Sequence, residues 1–242
     1  SLQSLLRAPE GKMMLLSPII LLGFYAFMLA SRSDTQADGT YVPLMSLGAA
    51  VMGLVSIQQL LQNQFGLDRD GVRSYLLSPV PRRRILLGKN LTLAPIALTI
   101  EFVGLLILQF FVGLDLQHFL GGCLQLVSAF LIMCLLGNYF SITAPLRLKE
   151  VGMQAANAKF RTVLLQILSL FLVPLSLSPL LIPWGVEVML DKYSWAEWMP
   201  VYLILHALVL AGMAVQYKAM LEFQGRLLAK REQKVLRSLT EG

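Results

Sequence analysis

The sequence predicts an all-α, polytopic membrane protein with six transmembrane helices and both termini in the cytoplasm. Three observations carry that prediction. The chain has 242 residues, of which 56% are hydrophobic and only 14% charged, with a mean hydropathy of +0.67. A soluble domain carries about 25% charged residues. Six apolar stretches then follow one another, each near the roughly 20 residues that a helix needs to cross a bilayer. Finally, the basic residues gather in alternate connections between those stretches.

Residues 1–12 form a polar, basic amino-terminal segment. Because the chain opens at Ser1 without an initiator Met, a fragment of a longer polypeptide or a processed one is expected. The apolar stretches are 13–30, 45–62, 91–113, 119–142, 162–184 and 199–221, making a membrane domain over 13–221. The first is longer than a signal-peptide core, and Ala30-Ser31 makes a poor cleavage site. The second is the weakest, since Gln58, Gln59 and Gln62 crowd its end. All are too long and continuous for strands of period two, so helices are expected.

Eighteen of the 20 Lys and Arg fall on one side of this arrangement and two on the other. The rich side holds Arg7 and Lys12, the 63–90 loop, the 143–161 loop (Arg147, Lys149, Lys159, Arg161) and the end of the chain from Lys218. The poor side holds Arg32 and Lys192. The positive-inside rule makes the rich side cytoplasmic. Trp184, Tyr193, Trp195 and Trp198 cluster at the opposite interface, as a headgroup-level belt would. Membrane orientation thus accounts for the pI near 9.5. Charges split among the amino terminus, two loops and a tail argue against a nucleic-acid partner.

Within the spans, Pro174, Pro179 and Pro183 interrupt the fifth helix, with Ser176 and Ser178 between them. Such a helix lines a pathway, acts as a hinge or is only bent for packing. Pro95 is less disruptive, near the start of its helix. Gly48, Gly53, Gly121 and Gly122 allow close helix approach, without a GxxxG dimer face. Glu101 is the one acidic side chain deep in a span. It is expected to face the interior with a partner, for which His206 is the candidate. It either lines a route, or sets a charge-dependent helix contact, or is a structural carboxyl. His118 reads as a solvated turn residue. Cys123 and Cys134 are about 16 Å apart along one helix, beyond disulfide reach, and read as packing residues.

No HExxH, paired CxxC, carboxylate cluster or GxSxG elbow marks a metal or nucleophile site. An EF-hand starting at Asp68 fails at Arg73 and Pro79. Gly88-Lys89-Asn90 superficially matches a phosphate loop, but Arg83 replaces the earlier glycine and Asn90 the Ser/Thr. The chain therefore has no cofactor of its own, and any ATP it uses is hydrolysed by another polypeptide.

The 63–90 loop, NQFGLDRDGVRSYLLSPVPRRRILLGKN, is the most informative segment. Residues 71–77 make about two helical turns with Val72, Tyr75 and Leu76 on an apolar side, and Pro79-Val80-Pro81 stops them. Arg82-Arg83-Arg84 before Ile85-Leu86-Leu87 predicts a short amphipathic segment along the membrane face, re-entering the bilayer after Asn90. The arginines either anchor to anionic lipid, each worth about 1 kcal/mol, or dock a cytosolic partner.

Phe65, Gly66, Asp68, Gly71, Arg73, Pro79, Val80, Arg82, Leu87, Gly88, Lys89, Asn90 and Leu91 carry a resemblance here. They follow F-G-x-D-x-x-G-x-R-x-x-x-x-x-P-V-x-R-x-x-x-x-L-G-K-N-L, a pattern similar to the cytoplasmic loop of bacterial ABC-2-type transporter permeases. SITAPLRLKE at 141–150 and GRLLAKREQKVL at 225–236 also resemble their counterparts. The likeness runs from Gln64 onward; at the start, such permeases often extend well beyond this amino terminus. It implies the permease subunit of an exporter or related transporter in the bacterial inner (plasma) membrane. Such a unit pairs with a second permease, identical or not, and with cytosolic ABC ATPase subunits that bind the ATP. Coupling would fall to Asp68, Gly71, Arg73, Pro79, Arg82, Gly88 and Lys89. Residues 71–77 would be the coupling helix, with Asp68, Arg73 and Arg82 as polar contacts to the ATPase.

The tail, 222–242, reads as a basic amphipathic helix. Phe223, Leu227 and Leu228 make one apolar stripe and Val235, Leu236 and Leu239 another, favouring the inner leaflet ahead of ATPase docking. A non-transporting scaffold that recruits a cytosolic protein through the same loops is the alternative function. An intramembrane enzyme lacks a nucleophile–base pair. A secondary transporter lacks inverted repeats.

Overall fold

A computed structural model describes residues 9–31, 42–68, 71–145, 160–192 and 199–240. It is all-helical, with no strand among the described residues. In chain order the helices are α1 (Pro9–Ser31), α2 (Val42–Ser56), α3 (Gln58–Gln62), α4 (Gln64–Asp68), α5 (Gly71–Leu77), α6 (Arg82–Val112), α7 (Leu116–Thr143), α8 (Phe160–Leu177), α9 (Ile182–Asp191) and α10 (Val201–Thr240). Among the described residues, four helices are long and apolar enough to cross a membrane: Arg82–Val112, Leu116–Thr143, Val163–Asp191 and Val201–Ser238. Two further apolar helices, Leu16–Tyr25 and Pro43–Ser56, are shorter.

α7 is the axis of the bundle, packed against α2, α3, α4, α6, α8 and α10. Its sequence is apolar all round, and its buried residues run from Gly121 to Ile142 on every side, as expected of a helix enclosed by others. The main core joins α2 (Leu47, Ala50, Leu54), α6 (Ile100, Leu105, Leu108), α7 (Leu126, Phe130, Met133) and α8 (Val173, Leu177). Gly137 lets the α3 backbone approach α7 closely, at the Leu61 carbonyl. α6 stops where Gly113 adopts φ 71° and donates its N–H to the Gln109 carbonyl, a left-handed conformation that glycine tolerates best.

The prolines of the fifth stretch break it into α8, a 3₁₀ turn (Ser178–Leu181) and α9. Pro179 has no N–H for the Leu175 carbonyl. The Ser178 hydroxyl donates to that oxygen instead, at 2.7 Å. Leu180 and Pro183 at the break are buried, and Gln125 Nε2 on α7 reaches the Leu180 carbonyl at 3.4 Å. The outer face of α8 leaves Leu164, Ile167, Phe171 and Leu175 more than half exposed.

Three boundaries differ from the sequence expectation. Residues 64–68 continue the second helical path as α4, with Gln64, Phe65 and Gly66 buried. Residues 82–90 form no separate surface segment; they are the first turns of α6. The tail continues the sixth apolar stretch within α10. In each case polar side chains that read as solvent-facing are paired inside the fold. The amino-terminal segment to residue 8, most of the 143–161 loop, and Tyr193, Trp195 and Trp198 lie outside the described residues.

Candidate functional site

At one end of the bundle, α4, α5, the start of α6, the end of α7 and the extension of α10 share a second core. Phe65, Val72, Leu76, Ile85, Leu86, Ile142, Leu221, Leu228 and Val235 form it. Buried polar groups seam the same helices together. Gln64 Nε2 donates to Asn90 Oδ1 at 3.0 Å, and Asn90 Nδ2 donates to the Tyr217 hydroxyl at 2.7 Å. The Phe65 N–H donates to Ser141 Oγ at 3.1 Å, and Asn138 Nδ2 to Gln224 Oε1 at 3.1 Å. Gln64 Oε1 and Asn138 Oδ1 keep no hydrogen-bond partner among the described residues, so the seam is only partly satisfied.

The described charged residues of the loop sort into two groups, Arg69 and Asp70 lying outside the described residues. Asp68, Lys89 and Arg82 turn inward. Lys89 pairs with Asp68, donates to the Gln64 carbonyl at 3.1 Å and sits over the Phe65 and Tyr75 rings at 4.9 and 5.3 Å. The nearby Asp68 carboxylate, helped by partial burial, raises the Tyr75 phenol above its ordinary value. Arg82 closes the end of α5, donating to the carbonyls of Leu76 at 2.8 Å, Ser78 at 3.0 Å and Val80 at 3.1 Å. The Leu76 carbonyl is one of the orphan acceptors of the α5 terminus; Ser78 and Val80 belong to the turn that follows. The same guanidinium pairs with Glu232 on α10, and Arg83 meets Glu222 at 2.7 Å.

The other group faces outward. Gly71, Arg73, Tyr75, Pro79 and Arg84 are exposed, Leu77 is 78% exposed and Val80 40%. Gly88 keeps its face of α6 bare, and a side chain there would meet nothing within 4 Å. Val72 and Leu76 are buried as the apolar pattern of 71–77 requires. Tyr75, expected on that side, is 43% exposed.

Glu222, Gly225 and Glu232 are the residues that sequence reasoning missed. Their signal was present: Leu221, Gly225, Leu228, Glu232 and Val235 alternate steps of four and three, the seam of two packed helices. Glu232 in that stripe, and Glu222 beside its first residue, mark where it meets Arg82 and Arg83.

Glu101 and His206, the polar pair expected within the spans, do not pair with each other. Glu101 is 1% exposed, seated against Gly53 of α2, and neither carboxyl oxygen has a hydrogen-bond partner among the described residues. His206 packs edge-on against Tyr202, with ring centroids 4.4 Å apart, and its two nitrogens also lack partners. The missing side chain of Gly53 supplies room for the carboxyl, so space rather than a hydrogen bond accommodates it. A methyl group at Gly53 would collide with Glu101. Gly53→Ala is therefore expected to destabilise by about 1–3 kcal/mol, and Glu101→Ala in the same chain to relieve most of that loss. Thermal unfolding of the four purified proteins of this cycle measures the coupling.

His118 is not a solvated turn residue. Its side chain is 12% exposed, with Nε2 3.1 Å from Glu187 and Nδ1 3.8 Å from Asp115. Beside it Ser46, Gln125 and Tyr202 cluster, with Ser46 Oγ 3.0 Å from Gln125 Oε1 and 3.3 Å from the Tyr202 hydroxyl. This polar end lies opposite the α5 module. Among the described residues no group of His, Cys, Asp and Glu is arranged to hold a metal ion. Compared with known proteins, the chain matches no family model, no curated protein and no solved structure.

Proposed function

We propose that this chain is the membrane-spanning permease subunit of an ATP-binding-cassette exporter of the bacterial inner membrane. Its six helices cross the bilayer with both termini cytoplasmic, and a separate ATPase drives it through the 63–90 loop. A second permease unit completes the complex. The observation that supports this most is the division of labour in the loop. Asp68, Lys89 and Arg82 hold it rigid from inside, while Arg73, Tyr75, Leu77, Pro79 and Val80 face out. A preorganised face binds at lower entropic cost than a floppy loop. It also sits at the root of α6, which is long enough to cross the membrane.

On this reading Asp68, Arg82 and Lys89 act as internal braces, and Arg73 with Leu77 makes the contact. ATP acts only through the difference in ATPase affinity for two arrangements of the bundle. Arg73→Glu with Leu77→Asp is expected to abolish co-purification with the ABC ATPase that this reading requires, at an unchanged Tm. Retained co-purification would sink the docking face. The same outward face also serves a non-transporting scaffold. ATP-dependent flux from liposomes carrying the wild-type complex separates the two.

A further inference from the structure

We propose that the extension of α10 beyond Leu221 is a lever built into the docking module. In this role Glu232 and Gly225 are positioning residues that join α5, α6 and α10 into one moving body. The proposal rests on the permease reading for its consequence in transport, and on packing alone for the joint itself.

The length of α10 comes first. Its 40 residues are continuous helix from Val201 to Thr240, about 60 Å at 1.5 Å per residue. That is twice the roughly 30 Å of a bilayer core. The second half therefore leaves the membrane as a rod and does not lie flat upon it. Part of its apolar face is already occupied: Leu228 is 0% and Val235 1% exposed, both packed with Phe65, Val72 and Leu76, while Phe223 of the expected apolar stripe stays 51% exposed. The opposite face carries Arg226, Lys230, Lys234 and Arg237, all exposed.

Two contacts then fix the rod to the loop. A Cβ on Gly225 would stand 2.9 Å from the Arg83 nitrogen and 3.1 Å from its Cα. Only glycine lets these two backbones lie so close, and a backbone cannot move aside as a side chain can. Arg82 makes the second contact, because one guanidinium holds the Leu76 carbonyl of α5, the Ser78 carbonyl just beyond it and the Glu232 carboxylate. A displacement of α5 therefore moves α6, through the chain, and α10, through Arg82, in the same stroke. The outward α10 face is free of this duty.

Hydrogen exchange of the 71–77 amides, in the full-length protein in detergent, tests the joint. Glu232→Arg places two cations together and is expected to raise exchange there several-fold. Glu232→Gln, which keeps an acceptor for Arg82, should stay close to wild type. Gly225→Val should raise exchange without any change of charge, and Lys230→Glu on the outward face should leave it unchanged. Wild-type protection in both Glu232→Arg and Gly225→Val, or an equal rise in Lys230→Glu, overturns the lever. In the reconstituted complex, Glu232→Arg should still bind the ATPase but lose most ATP-dependent flux. Full flux with raised exchange also overturns it. A wild-type complex without flux refutes the permease reading instead, and the exchange arm still decides the joint.

Discussion

Asp68→Asn is expected to lower stability by about 2 kcal/mol and to loosen the loop around α5. Removing one member of a buried ion pair costs about 3–5 kcal/mol, because the other charge is stranded. The two side chains here keep 12% and 19% exposure, so water screens part of the loss. Lys89 would keep the Gln64 carbonyl and the Phe65 and Tyr75 rings, which do not neutralise its charge. Thermal unfolding in detergent measures the cost, and limited proteolysis within 69–81 reports the loosening. Adding Lys89→Gln to Asp68→Asn should recover part of the stability, since no bare cation remains. A double variant as unstable as the sum of the two single ones would show that the pair is not coupled.

Gly137→Ala is expected to be the more damaging change, at about 3 kcal/mol. The added methyl would meet the Leu61 carbonyl group, whose carbon stands 2.8 Å away. The obstacle is main chain, so α3 itself must move away from α7. Next to it, Gln58 Nε2 donates to Ser169 Oγ at 2.8 Å and Ser169 Oγ to Gln62 Oε1 at 3.1 Å. A shift of α3 strains that buried network as well, which adds to the cost. Gly212→Ala is the control. A side chain at Gly212 meets nothing within 4 Å, so the change should be neutral or stabilise by up to about 1 kcal/mol through helix propensity. A Tm for Gly137→Ala equal to that of the control would refute the close contact.

The long apolar helices were legible because their lengths and continuity leave no alternative to helix in an apolar medium. The short α5 was legible too, because Pro79 and Pro81 stop it and its apolar spacing has period 3.6. The ends of the loop were not. Gln64, Asn90 and Lys89 look like solvent-facing residues in a string of letters, yet they are buried or nearly so because they pair with one another and with Tyr217, Asp68 and main chain. Polarity in sequence says that a group needs a partner; it does not say whether water or protein supplies it. The packing of Leu228 and Val235 of the tail against the loop was not legible, for the same reason. An apolar stripe beside a basic one suits a bilayer surface and a helix seam equally well.

By itself, then, the sequence determined an all-helical chain rich in membrane-length apolar segments. It also determined the basic loop with its proline-stopped helix, and the absence of a phosphate-binding motif. Only the tertiary structure decided which charges are available. It turned Asp68, Lys89 and Arg82 inward, left Arg73 and Leu77 outside, and set the carboxy-terminal half of α10 against the loop. Periodicity and length are local properties that a sequence carries along its own axis. The pairing of Arg82 with Glu232, 150 residues apart, exists only once the helices between them have packed.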